Sequence, residues 1–454
     1  MRNVFTAAAA ALLGLMFAVL AFGQESGAGN VPRDEEKIAS VADRSVTEAL
    51  ASWWGFHEED ATAPLQSALD SGVKTLIIDK QSGPWNVTTL RIPSDIEIII
   101  DSGVTVQAKA GAFREPEAYL FSVDHQKNVV IRGGGPGAQL LMCKSDYHQA
   151  PYEKSEWRHG IALRSVKNVR IEDLAIRSTG GDGIYLGADK LGTPCEDVTI
   201  RRVICDDNNR QGISVISAKN LLIEGCVLSN TKGTPPASGI DFEPNNDREC
   251  LVRCVVRDCL FEKNEGNGIE LWIGKLTGRS EPISILFENC VSRWNKKSGF
   301  FEGIYQTEGE QLQGELTVRG CLLADNNIFA LRCYSKSAPA HALRLENVTL
   351  DVTGTKTLFS PIRLVVEKVD RFPARFPIGG MTWDVTVVDP AERPIVDYQD
   401  QTENGFGLFD ISGTVTVKKS AEDSGEVITI DEKWLAEQFP GVRAPEETAD
   451  EQKE

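Results

Sequence analysis

The chain has 454 residues, with 48 Lys+Arg against 66 Asp+Glu, a formal charge of −18 and 41% hydrophobic residues. The hydrophobic share excludes global disorder, and the acidity argues against nucleic acid as a partner. The length exceeds one ordinary domain of about 150 residues, so several domains or one elongated repeat is expected.

Residues 1–23 read as a secretory signal: Arg2, an apolar run over 7–22, then Ala21 and Gly23 as small residues ahead of a cleavage point. The run falls short of the roughly 20 residues of a membrane span. A secreted or periplasmic protein, with no membrane span after cleavage, is therefore expected. Residues 24–59 form an N-terminal segment. Residues 60–70 (DATAPLQSALD) predict an amphipathic helix and 74–79 (KTLIID) a strand. Residues 144–159 (KSDYHQAPYEKSEWRH) predict a long polar and aromatic loop, in which Trp157 stacks on a sugar while Glu156, Arg158 and His159 supply acid, anion clamp and base.

From residue 160 the sequence repeats. Gly160-Ile161, Gly183-Ile184, Gly212-Ile213, Gly239-Ile240, Gly268-Ile269, Gly299-Phe300 and Ala330-Leu331 follow at intervals of 23, 29, 27, 29, 31 and 31 residues. A second strand pattern alternates with the first, at 168–176, 197–205, 220–228, 283–291, 316–323 and 343–350. Asn208, Asn264, Asn295 and Asn326 each stand four residues before the repeated dipeptide, and Asn230 is expected to join them, displaced by an insertion at 231–237. Short alternating strands cannot bury an apolar face alone, but stacked coil on coil, about 4.8 Å apart, they can. An Asn in the same turn of every coil then satisfies the turn amides of its neighbours. The fold class is all-β, a parallel β-helix with an N-terminal capping helix. It is expected over 60–354, with final coils or a β-rich cap over 355–443 and an acidic, disordered tail over 444–454.

These coils resemble the right-handed parallel β-helix, or pectin-lyase-like, superfamily. The resemblance implies extracellular polysaccharide chemistry, although the fold also serves tailspikes and adhesins, so function has to come from the site. Polygalacturonases of this fold carry Asn-Thr-Asp, Gly-Asp-Asp, Gly-His-Gly and Arg-Ile-Lys motifs. Only Asp182 in Gly180-Gly181-Asp182 is compatible with them, and the Asp-Pro-His-Glu signature of mannuronan epimerases is absent.

Ten cysteines in an exported chain suggest disulfides. However, Cys259, Cys290 and Cys321 recur 31 residues apart, which also fits a reduced, inward-facing stack. Both readings stay open.

With Ile inward in each repeat, the next residue points outward. One outward column is then Ala162, Tyr185, Ser214, Asp241, Glu270, Phe301 and Arg332, and a second is Arg164, Gly187, Ile216, Glu243, Trp272, Gly303 and Tyr334. Asp241 and Glu270 are expected to be catalytic, supported by Asp182 and Glu243. Arg210, Lys297, Trp272, Trp157, Arg158, His159 and Tyr185 are expected to contact substrate. Two carboxyls one strand apart split their proton affinities and serve as acid and base or nucleophile of a glycosidase. Alternatively Asp241, Glu243 and Glu270 hold Ca²⁺ in a polysaccharide lyase or uronate epimerase, or the face only binds glycans. No cofactor is expected otherwise, and the protein is expected to be a monomer acting on a polysaccharide. Residues 421–454 hold 11 acids and 3 bases, whereas 160–334 hold 24 and 21, so the global acidity says little about the charge of the substrate.

Overall fold

The computed structural model describes residues 29–306, 309–369, 374–402 and 405–439. The expected signal segment and acidic tail lie outside these residues. The described chain is an all-β parallel solenoid of about 12 turns. One ribbon is an 11-stranded parallel sheet running from Leu90–Arg91 through Ser238–Phe242 to Val396–Asp400, and the other strands join a 23-stranded sheet.

Each strand forms because β-branched and aliphatic residues alternate with polar ones. In Cys195–Arg201 and Ala218–Glu224, Val198, Ile200, Leu221 and Ile223 point inward and are buried. Asn128, Asn168, Asp197 and Asn220 occupy one turn position with φ between 54° and 56°, a left-handed conformation that Asn and Asp tolerate. The repeated Ile161, Ile184, Ile213, Ile240, Ile269, Phe300 and Leu331 are all at most 1% exposed. Burial of each such side chain contributes about 1.5–3 kcal/mol.

The Asn ladder has the expected form. Asn326 Oδ1 accepts from Asn295 N and Nδ2 (3.1 and 2.8 Å), and Asn295 Oδ1 accepts from Asn264 N and Nδ2 (3.1 and 2.9 Å). The repeat glycines make room for it. A Cβ on Gly183 would stand 2.7 Å from Asn208 Nδ2 and 2.6 Å from Gly212 O. Asn230 does not join the ladder. Thr231 takes that slot, its N–H donating to Asn264 Oδ1 (3.0 Å), while Asn230 turns out and donates to Asp206 (2.7 Å). All ten cysteines are free, and Cys226 extends the stack of Cys259, Cys290 and Cys321, with Cys226 N–H donating to Cys259 Sγ at 3.4 Å.

Helix Thr62–Leu69 lies at the N-terminal end and buries Leu65, Ala68 and Leu69, and Asp60 accepts from the amide of Thr62 at 2.9 Å. Beyond residue 355, strands Ile362–Val366, Ile378–Val388 and Leu408–Lys418 continue the parallel ribbons. An antiparallel strand, Glu426–Ile430, and helix Glu432–Gln438 follow them. No helix of the described residues is long and apolar enough to cross a membrane.

Candidate active site

Seven consecutive rungs of the 11-stranded sheet carry the candidate residues. Their register aligns Ala162, Tyr185, Ser214, Asp241, Glu270, Phe301 and Arg332 in one outward column, and continues it with Arg363 and Asp397. Phe242 points inward between Asp241 and Glu243, at 0% exposure.

The column just before the repeat glycines supplies a hydrogen-bond ladder. Gln211 Oε1 accepts Ser238 N–H (2.9 Å), Ser238 Oγ accepts Asn267 N–H (3.0 Å), and Asn267 Oδ1 accepts Ser298 N–H (2.9 Å). With each amide oxygen engaged by a backbone donor, the NH₂ end has to face outward. It finds the acids there. Gln211 Nε2 donates to Asp241 Oδ2 (2.7 Å), while Ser238 Oγ and Asn267 Nδ2 both donate to Glu270 Oε2 (2.5 and 2.8 Å). Asp182 stands in the same column but breaks the pattern: it is fully buried, and neither carboxyl oxygen has a hydrogen-bond partner.

Arg210 ties the acids together. Its guanidinium donates to Glu243 (2.5 Å) and Ser214 Oγ (3.5 Å), and lies 3.8 Å from Asp182 and 3.7 Å from Glu156. Burial opposes the Arg210 charge, but Asp182, Glu243 and Asp241 outweigh it and raise the proton affinity of the group. Burial, opposed by Arg210 and the Ser214 hydroxyl and reinforced by Glu243 and Glu156, pushes Asp182 up to about 7. Burial, then the charges of Glu270 and Glu243, push Asp241 well above the carboxylate range. Asp241 thus holds a proton more tightly than an ordinary carboxylate, one strand from Glu270. Among the described residues no three His, Cys, Asp or Glu side chains converge to hold a metal ion.

Aromatic rings lie on either side of this cluster. Tyr185 covers Gly187, where a Cβ would stand 2.4 Å from its ring, and Trp272 covers Gly303, where a Cβ would stand 2.1 Å from its ring. Glycine in the second outward column thus lets each ring lie flat on the sheet. Trp272 also stacks on Phe301 (5.8 Å, 19°) and meets the edge of Tyr305 (5.2 Å).

Two expected substrate contacts are placed elsewhere. Arg158 is 0% exposed, its guanidinium donating to the carbonyls of Phe113, Arg114 and Glu153 (2.7, 2.9 and 2.7 Å) beside Tyr147 and Tyr152. The 144–159 loop folds back on itself and spends this charge inside. His159 is 1% exposed, stacked between Tyr119 and Tyr185 (5.4 and 4.7 Å), and its Nδ1 accepts the Asp182 N–H (3.0 Å). Burial, then Arg210 and Arg164, hold this histidine well below its ordinary value, so the ring is neutral and positions Asp182 from below. Trp157 is 46% exposed and Lys297 half-buried, both open to a ligand. Sequence reasoning gave no role to Gln211, Ser238 and Asn267. The available signal was three neutral hydrogen-bonding residues at one register position beside the acid column.

Residues 152–278 match the family described as the right-handed beta helix region. Among curated proteins, the SPbeta prophage-derived uncharacterized protein YorA of Bacillus subtilis is 25% identical over 38% of this chain and 32% of its own length. The chain thus spans about a third of that relative. The exopolygalacturonase of Thermotoga maritima superposes with a TM-score of 0.53 at 12% identity, covering 88% of this chain and 99% of that one. A mannuronan C-5 epimerase A-module of Azotobacter vinelandii gives 0.52 at 14% identity, over 82% and 94%. The fold of this chain is the right-handed parallel β-helix, shared with these solved structures.

Proposed function

We propose that the protein hydrolyses glycosidic bonds of a polysaccharide lying along the 11-stranded face, outside the cell. The observation that carries this reading is the pairing of Asp241, whose proton affinity is raised by burial and its acidic neighbours, with Glu270, held by two donors on the adjacent strand about 4.8 Å away. Asp241 acts as general acid and Glu270 as base or nucleophile. Asp182 is a second proton reservoir, Arg210 and Glu243 fix the cluster, and Tyr185, Trp272 and Trp157 stack on sugar rings. The structural neighbours named for polygalacturonase and epimerase activity, and the export signal read in the sequence, support an extracellular polysaccharide as substrate.

The test is release of reducing ends from a polysaccharide panel, followed with ultraviolet absorbance and with a chelator present. Wild-type protein should release reducing ends, and Asp241→Asn or Glu270→Gln should lower the rate by at least about 10²-fold. Unsaturated, ultraviolet-absorbing products lost on chelation would replace this reading with a Ca²⁺-dependent lyase. Full activity in both variants would remove the pair from the chemistry.

A further inference from the structure

The face changes character beyond Glu270. At the cleavage cluster Asp182, Asp241, Glu243, Glu270 and Glu156 surround Arg210 alone. Two rungs further on the column carries Arg332. Other arginines of the face are committed: Arg210 to Glu243, Arg164 to Tyr119 and Glu117, Arg363 to Asp397 and Gln399. Arg332 is not. Its guanidinium lies 4.2 Å from the Phe301 ring centroid and 4.9 Å from that of Tyr334, and its Nε is buried without a hydrogen-bond partner. Among the described residues no carboxylate is within ion-pair distance of it, although the half-buried Glu367 senses its charge. Lys297, just ahead of strand Ser298–Gly303, has no ion pair either among the described residues. The Phe301 ring under Arg332 is buried and stacks on the half-buried Trp272.

A guanidinium packed against two aromatic rings keeps its charge, loses little entropy on binding and offers a fork to an oxyanion. The cluster of acids, by contrast, disfavours an anionic sugar at the cleaved bond. Building on the hydrolase reading, we infer that the substrate is a heteropolysaccharide with a neutral residue at the cleaved linkage. It carries an acidic group, carboxylate or sulfate, about 10 Å further along, two strand spacings away. Arg332 binds that group, Lys297 adds to the local field, and Trp272, supported by the buried Phe301, carries the sugar ring.

Binding is measured with the Glu270→Gln protein, in which turnover is blocked, by affinity electrophoresis and calorimetry. The probes are xanthan and its carboxyl-reduced form, chondroitin sulfate and its desulfated form, polygalacturonate and dextran. At least one acidic heteropolysaccharide should bind tenfold or more tightly than its neutralised form and than polygalacturonate, and the xanthan and chondroitin arms separate carboxylate from sulfate. Adding Arg332→Gln should abolish that tenfold preference and leave binding of the neutralised form unchanged. Arg332→Lys, with thermal unfolding measured alongside, should retain part of the preference and separates lost recognition from lost fold. Equal binding of acidic and neutralised forms, an unaffected Arg332→Gln variant, or binding to none of the probes overturns the inference. Failure of the wild-type protein to release reducing ends, with the preference intact, overturns the hydrolase reading alone.

Discussion

Asp182→Asn tests the electrostatics of the cluster through stability as well as through activity. Asp182 is fully buried, both carboxyl oxygens lack hydrogen-bond partners, and burial lifts its proton affinity from 3.8 to about 7. The sign follows from linkage. In the folded state the group holds its proton up to about 7, whereas in the unfolded chain it loses it near 3.8. Its contribution is fully present below the unfolded value and is lost as pH rises through the folded one. The difference of 7 − 3.8 = 3.2 units corresponds to about 4 kcal/mol at about 1.4 kcal/mol per unit. The amide that replaces the carboxyl is never ionised, so the pH-dependent difference between the two proteins is this whole amount, about 4 kcal/mol. Relative to wild type, Asp182→Asn should gain this much between about pH 4 and pH 9, as read from urea unfolding at each pH. A difference between the two proteins that does not vary with pH would show that Asp182 is ionised in the folded state and refute the reasoning.

Two further substitutions address the platform and the interior. Gly303→Ala puts a methyl 2.1 Å from the Trp272 ring, so the ring must lift. Polysaccharide affinity should fall about tenfold while the thermal midpoint changes little, and unchanged affinity would mean that the flat ring is not a platform. Glu302 and His341 are both fully buried, paired at 2.6 Å (His341 Nε2 to Glu302 Oε1), and buried Lys336 donates to the Gly379 carbonyl nearby. Glu302→Leu leaves the buried Nε2 of His341 without its partner and should cost about 1–3 kcal/mol in urea unfolding, part of which the Glu302→Leu/His341→Leu double variant recovers. A loss in the single variant comparable to that of a surface change would contradict the buried pair.

Much of the architecture was legible because the signal was periodic. The Gly-Ile intervals located the rungs, and one inward position then fixed the outward columns, which the register of Asp241 on Glu270 reproduces. What escaped had no period. Whether Arg158 faces solvent or the loop interior depends on how 144–159 closes over Phe113, and no spacing within the loop encodes that. The slot given to Asn230 belongs to Thr231 because Ser229 aligns with Asp206 and Glu262, which puts Thr231 level with Asn208 and Asn264, and the backbone N–H, not the side-chain type, makes the bond. The outward acids also turned out to be nearly sealed: Asp241 is 1% and Glu270 8% exposed. Outward direction in a strand is set by alternation, whereas exposure depends on neighbours such as Arg210 that arrive from another turn.

An acid in a β-helix strand is therefore not informative by itself, and the neighbouring register position decides its role. Glu270 and Glu302 lie on adjacent strands, yet the first aligns with Phe301 outside and the second with Leu271 and Cys333 inside. Glu270 receives Ser238 and Asn267, two neutral donors whose orientation is fixed by backbone amides and which leave its second oxygen free for a ligand. Glu302 receives His341 and lies close to Lys336 and Cys333, which consume it. The first arrangement fixes a carboxyl group through one oxygen and leaves the other over, which is what a base or nucleophile requires. The second spends the group on buried partners, which is what a core requires. The same alternation of rung and ladder that stacks the fold thus separates chemistry from structure within two coils.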